Sequence, residues 1–324
     1  MIGNAVTQTY IITKNNKTTA KRREMVMKTL SGAKRFGLIV ALVLIWGVSW
    51  SIYKVALDYT PPLLFAGMRT LLGGLLLVLF LLPKRDRIRW KENRKVYIVS
   101  ALLNVVLFYG LQTIGLLYMP SGLFTVLVYL QPVLVGLFAS LWLDERMTTL
   151  KAAGLLLGFL GVVSVSVGGF SGHIAVIGVV LAIVTAISWA FGTVFIKKAG
   201  ASVDSLWLVA FQCTLGGIVL TLSGSLTESW SDIVWNGAYL TGLLFGVFLG
   251  IALSWIIYVT LTQAGEASQV ASFTFLVPLL SVLIGTLALH EPFSRFLLLG
   301  LVLIGSGIYL VNRKARPKPA AMAG

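Results

Sequence analysis

Apolar stretches of about 20 residues recur along the chain, separated by short polar or basic segments. Each is long enough to cross a hydrocarbon core of roughly 30 Å as an α-helix. Ten are legible, at about 37–57, 62–82, 96–118, 120–143, 150–169, 174–198, 204–223, 237–262, 267–289 and 295–312. Several connections are very short, among them Asp58 to Pro61 and Met119-Pro120-Ser121. Residues 120–169 are the hardest to divide, and Asp144-Glu145-Arg146 is the best break there. The pattern predicts an all-α integral membrane protein with ten transmembrane helices.

The ten spans fall into two similar halves. Trp46, Lys54 and the pair Gly73-Gly74 recur 143 residues later as Trp189, Lys197 and Gly216-Gly217. Pro132, Glu145, Gly154 and Gly161 recur 146 residues later as Pro278, Glu291, Gly300 and Gly307. Glycine is frequent in membrane helices, so single Gly matches carry little weight. Matched Trp, Lys, Pro and Glu in the same order are harder to obtain by chance. Five spans per copy is an odd number, so the second copy must sit upside down in the bilayer. The chain therefore reads as a basic tail at 1–36, a first five-helix repeat at 37–169, a second at 174–312, and a basic tail at 313–324. Inverted repeats of this kind suit a protein that opens alternately to each side of a membrane.

Composition agrees with a membrane protein. The chain of 324 residues is 57% hydrophobic and 11% charged, with a mean hydropathy of +0.92; soluble chains are roughly 25% charged. The single cysteine, Cys213, lies in an apolar run, which excludes a disulfide framework or a thiolate metal site. No His, Asp and Glu cluster has metal-ligand spacing: His173 and His290 stand at span edges. No catalytic group, cofactor or metal is expected.

The net charge of +15 first suggests nucleic acid, but the basic residues sit between or beside apolar runs, where they act as topology signals. Eight lie in the first tail and seven in the 83–95 loop, followed by Arg146, Lys151, Lys197, Lys198 and four in the last tail. With ten spans all of these share one side; the other has Arg295 and Lys54. Both termini are thus expected in the cytoplasm, the protein in the plasma (inner) membrane, and membrane lipid is an expected partner. The first 36 residues lack the apolar core of a signal peptide. Lys21-Arg22-Arg23-Glu24 precedes Met25 and Met27, and codons for it can read as a ribosome-binding site. We expect translation to start at Met25 or Met27, which the intact mass of the native protein tests.

Arg69 is the sharpest candidate for chemistry. It lies inside the second span with no acidic neighbour in its own helix. Placing an Arg at mid-span costs about 2.5–3.5 kcal/mol on insertion scales, so it should face the bundle interior or a wet cavity. The alternative is a structural clamp on backbone carbonyls. The second copy has Gln212 at the matching place, so the charge is one-sided, as suits an anionic or carboxylate group.

Polar and aromatic stripes accompany it. Asn104, Phe108, Gln112 and Gly115 share one helical face in the third span, and Ser254, Tyr258 and Thr262 share one in the eighth. Trp46, Trp50 and Tyr53 share a face of the first span, beside Ser49, while its partner span carries Trp189 and Thr193. Tyr109, Tyr129 and Trp255 could complete an aromatic site with few polar groups. Interfacial aromatics and polar helix packing are the bland alternative. Pro132 and Pro278 sit mid-span at matching places, each removing a backbone hydrogen bond, next to Gln131 and Tyr129 in the first copy. Interruptions at matching positions point to a carrier's site. Glu145 and Glu291 close their spans and could cap or pair across loops, with proton coupling a lesser option. The glycines at 154, 158, 161, 300, 305 and 307 read as helix packing.

These residues resemble the EamA-type transporters of the drug/metabolite transporter superfamily. The resemblance spans about Lys34 to Arg313. It rests on Trp46-Gly47 with Lys54, on Arg69, and on Pro132 with Leu143-Asp144-Glu145 and Gly154, repeated as Pro278 with Leu289-His290-Glu291 and Gly300. It implies two inverted five-helix repeats, a central cavity, and export or exchange of small metabolites such as amino acids. The second copy departs at Gln212 and at Ala190, which replaces Gly47.

The expectation is a secondary transporter working by alternating access around a midplane cavity. Substrate contacts are expected from Arg69, Trp46, Ser49, Tyr109, Gln112, Tyr129, Gln131, Trp189, Gln212, Trp255 and Tyr258. Gating or structural roles are expected for Pro132, Pro278, Glu145, Glu291, Lys54 and Lys197. A membrane receptor or scaffold and a lipid flippase remain alternatives; a membrane enzyme would need a nucleophile and base that the spans lack.

Overall fold

A computed structural model describes residues 31–115, 117–118, 121–166, 175–200, 202–288 and 296–313. Glu291, Arg295, His173, His290, the Met25 and Met27 region and the last tail lie outside the described residues, as does the side chain of Trp50. The helices are α1 (Gly32–Leu57), α2 (Pro62–Leu81), α3 (Trp90–Gly115), α4 (Ser121–Val128 continuing as Gln131–Trp142) and α5 (Thr149–Ser166). The second half has α6 (Val176–Ala199), α7 (Ser205–Thr227), α8 (Gly237–Ala264), α9 (Ala267–Phe273 continuing as Leu276–Ala288) and α10 (Phe296–Asn312). Among the described residues nine spans are long and apolar enough to cross a membrane, and α10 is a shorter apolar helix. This is an all-α membrane protein.

Two helices begin earlier than their apolar runs suggest. α1 starts at Gly32, capped by Ser31, whose hydroxyl accepts from the Lys34 amide at 3.3 Å. α3 starts at Trp90, so Lys91, Arg94 and Lys95 ride on its first turns rather than in a loop. Hydropathy marks the lipid-buried part of a helix, whereas the backbone hydrogen-bond ladder continues until a cap or breaker ends it. At the end of α4 that breaker is Asp144, whose φ of 56° is left-handed.

Glycines show how the halves meet. A Cβ on Gly74 of α2 would lie 2.6 Å from the Thr214 hydroxyl of α7, and one on Gly217 of α7 would lie 2.6 Å from the Leu71 Cα of α2. Farther along, Gly67 faces Thr221 and Gly224 faces Leu64. Numbers that rise along α2 fall along α7, so these matching helices run antiparallel. α5 and α10 repeat the arrangement: a Cβ on Gly154 would sit 2.7 Å from the Gly307 carbonyl oxygen, and one on Gly161 would sit 3.0 Å from that of Gly300. Without hydrophobic drive between helices in lipid, such backbone-to-backbone approach is what holds them together. The remaining packing exchanges in the same way, α1 on α9 as α6 on α4, and α2 on α8 as α7 on α3.

α4 and α9 are both interrupted. After Val128 the hydrogen bonds shorten to Leu130 N–H on Leu127 O (3.2 Å) and Val133 N–H on Leu130 O (3.1 Å); after Phe273 they become Phe275 N–H on Ser272 O (3.3 Å) and Val277 N–H on Thr274 O (3.0 Å). Pro132 and Pro278 fall in the first turn of the resumed helices, where their missing N–H costs least. The prolines thus break their helices rather than merely kink them. α3 and α8 also match, each containing a π-wound segment, Leu102–Gly110 and Gly246–Leu253. Such widened turns are frequent at functional sites.

Candidate functional site: an aromatic cavity around Arg69

The break in α4 and the π-wound segments of α3 and α8 border a cavity of about 80 Å³. α1 contributes Trp46, Ser49 and Tyr53; α2 contributes Arg69; α3 contributes Phe108, Tyr109 and Gln112. Val128 and Tyr129 come from the break in α4, Trp189 from α6, and Gly250 and Trp255 from α8. A water needs roughly 10–15 Å³ of such space, so several waters or one compact solute fit.

Arg69 is 8% exposed and forms no ion pair among the described residues. Its guanidinium carbon lies 4.5 Å from the ring centre of Tyr53, 4.7 Å from that of Tyr109 and 5.7 Å from that of Phe65. Desolvated cation–π contacts contribute about 2 kcal/mol each, which offsets much of the cost of placing the charge here. Tyr109 is itself held by Trp255, whose indole N–H donates to its hydroxyl at 3.2 Å. The opposite wall is a run of rings: Trp46 on Trp189 at 5.8 Å, Phe108 on Trp189 at 4.8 Å, and Tyr129 on Trp189 at 6.1 Å.

Four buried polar atoms of the lining have no hydrogen-bond partner among the described residues: Tyr53 Oη, Arg69 Nε, Trp189 Nε1 and Gln112 Oε1. Native interiors rarely leave such groups unpaired, because each costs about 1–3 kcal/mol. The cavity therefore offers an occupant two donors, one acceptor and one hydroxyl that can act as either.

Of the other sequence candidates, Gln131 and Tyr258 stand behind the ring wall. Gln131 Nε2 reaches Thr193 Oγ1 and the Tyr258 hydroxyl, both at 3.5 Å, and those two oxygens are 2.8 Å apart. Thr193 donates its hydrogen to the Trp189 carbonyl, so Tyr258 is the donor in that 2.8 Å bond. The Tyr258 ring packs 5.3 Å from Trp46. The network joins α4, α6, α8 and α1 beneath the cavity.

Gln212 stands apart. It accepts from the Ser100 hydroxyl at 2.6 Å, and Asn104 donates to Ser100 O at 3.2 Å. The repeat supplies the reason. Ser100 and Asn104 match Gly246 and Gly250 of the second copy. Side chains fill the space around Gln212, whereas glycines leave it open around Arg69: a Cβ on Gly246 would lie 3.1 Å from the Arg69 Cβ, and one on Gly250 would strike the Tyr53 hydroxyl. Asn104, although on the Gln112 stripe, belongs to this filled side. Gly250 and Val128 carry no polar signal and are invisible to a search for chemistry; Tyr53 and Phe108 were visible only as stripe members.

Glu145 and Lys197 sit together at the ends of α4 and α6. The Glu145 carboxylate accepts from the amides of Ala267 (2.6 Å) and Ser268 (3.3 Å), capping α9. Lys197 donates to the carbonyls of Thr262 (2.9 Å) and Gly265, capping α8, and lies 3.8 Å from Glu145. Anion at an N-terminus and cation at a C-terminus both match the helix dipole. Lys54 ends α1 in the matching position of the first copy.

The profile of the EamA-like transporter family matches this chain twice, over residues 35–167 and 176–313. The chain belongs to the EamA-like transporter family. It is 53% identical over 298 residues to "Uncharacterized transporter YvbV" of Bacillus subtilis (strain 168), covering 92% of this chain and 98% of that one. It is 27% identical over 292 residues to the "Probable amino-acid metabolite efflux pump" of Escherichia coli (strain K12), covering 84% and 93%. A solved crystal structure with 20% sequence identity superposes with a TM-score of 0.75, covering 87% of this chain and 97% of that one, and so shares the fold. The family is one of transporters, and this member is a multi-pass membrane protein.

Proposed function

We propose that this EamA-like protein is a secondary carrier that exports or exchanges small metabolites bearing a carboxylate, amino acids among the candidates, by alternating access. The observation that carries the reading is the pair of matched interruptions in α4 and α9, the first of which places Tyr129 beside a cavity whose one charge among the described residues is Arg69. Discontinuous helices at equivalent places of two copies are the usual setting of a carrier's site. Arg69 orients the anionic group; Trp46, Tyr109, Gln112, Tyr129, Trp189 and Trp255 shape the rest, and Gln131 and Tyr258 brace the wall. Relatives named as amino-acid metabolite efflux pumps support the direction and the cargo class.

In this reading Pro132 and Pro278 are the flexible points. Glu145 with Lys197 closes one end, and Lys54, the counterpart of Lys197 by repeat, serves the other. In this reading the distribution of basic segments supports cytoplasmic termini and a plasma-membrane location. Comparing metabolites inside and outside cells expressing the intact protein, Arg69→Gln at matched level, or neither tests the reading. A solute redistributed by the intact protein alone supports it. Identical profiles in all three return the weight to a scaffold or a lipid carrier.

A further inference from the structure

The charge inventory of the cavity is lopsided. Among the described residues Arg69 is its only charged lining residue; Ser49 and Gln112 are polar and uncharged, and no described Asp or Glu lines it. The rings of Tyr53 and Tyr109 lie 4.5 and 4.7 Å from the guanidinium carbon, while Nε has no partner among the described residues and is left for an occupant. The Nε side of a guanidinium presents parallel donors that match the two oxygens of a carboxylate. A second buried donor, Trp189 Nε1, one acceptor, Gln112 Oε1, and the Tyr53 hydroxyl, which is uncharged and can do either, are also open.

Electroneutrality then selects the class of occupant. A buried charge left unpaired is costly, and a pair is tolerated when its geometry is good. A substrate of net charge −1 brings the cavity to zero. A zwitterion leaves it at +1, and its ammonium finds no carboxylate among the lining residues. Within the transport reading above, we infer that the site favours monoanionic carboxylates with a flat apolar body over zwitterionic amino acids of the same shape. Aromatic walls from Trp46, Phe108 and Trp189 hold the body, and a donor on it reaches Gln112.

Three probes with one ring separate the possibilities: phenylacetate (−1), phenylalanine (zwitterion) and phenethylamine (+1). Their binding to the full-length protein in detergent is measured by calorimetry and by quenching of tryptophan fluorescence. Phenylacetate should bind about tenfold or more tighter than phenylalanine, with phenethylamine weakest. Arg69→Gln should abolish the ranking, although the ranking on the unaltered protein suffices as the test. Phenylalanine binding as tightly as phenylacetate, tighter phenethylamine, or no binding of any probe overturns the inference.

Counterflow of the same probes in liposomes separates the two readings. Phenylalanine moved in preference to phenylacetate overturns the charge rule and leaves transport standing. Phenylacetate bound in the expected ranking but never moved upholds the charge rule and overturns transport.

Discussion

Glu145 and Lys197 stand 3.8 Å apart, and each also holds the end of a helix, Glu145 the start of α9 and Lys197 the close of α8. Both side chains are largely buried, at 8% and 13% exposure. Four helices thus meet through two side chains. Removing one member leaves the other buried and short of a partner, which costs about 3–5 kcal/mol. Glu145→Ala should therefore lower the thermal midpoint of the detergent-purified protein markedly. If this contact closes one end of the carrier, a cysteine placed in the cavity should also become more reactive to impermeant thiol reagents from that end. An unchanged midpoint would remove the latch from the account.

Gly250→Ala should impair substrate binding by about tenfold or more, because the new methyl strikes the Tyr53 hydroxyl and displaces the ring that covers Arg69. The thermal midpoint should shift little, since the ring can move into open cavity. Probe affinity and melting, measured together, check this.

Gly307→Ala and Gly305→Ala form a matched pair on α10. A Cβ at Gly307 would lie 2.6 Å from the Gly158 amide nitrogen, while one at Gly305 meets nothing within 4 Å. The first should destabilise by about 1–3 kcal/mol, while the second should be neutral or stabilise by up to about 1 kcal/mol, since Ala is the better helix former. Unfolding midpoints that do not separate the two would refute the close approach of α5 and α10.

Tyr258→Phe removes a donor from the buried Gln131, Thr193 and Tyr258 network without changing ring volume. The loss should cost about 1–2 kcal/mol of stability. Because the ring still packs on Trp46, probe binding should fall less than in Arg69→Gln. Calorimetry on both variants reads the difference.

Much of this architecture was legible in one dimension. Membrane helices announce themselves by length and hydropathy because lipid forces every backbone group to pair within its own segment. The repeat was legible because Trp, Lys, Pro and Glu are scarce enough in such helices for ordered matches to stand out. Helix ends were less so: α3 begins at Trp90, among basic residues that hydropathy assigns to a loop.

Sequence by itself determined the helix count, the two matched copies, the odd buried Arg69 and the two prolines that interrupt α4 and α9. Tertiary structure alone decided which of the equivalent positions faces open space. Arg69 and Gln212 match in the repeat, yet only Arg69 borders a cavity. Gly246 and Gly250 vacate its surroundings, whereas Ser100 and Asn104 fill those of Gln212. A cavity is the volume that several distant side chains fail to occupy, and that difference appears only when the helices carrying them are packed together.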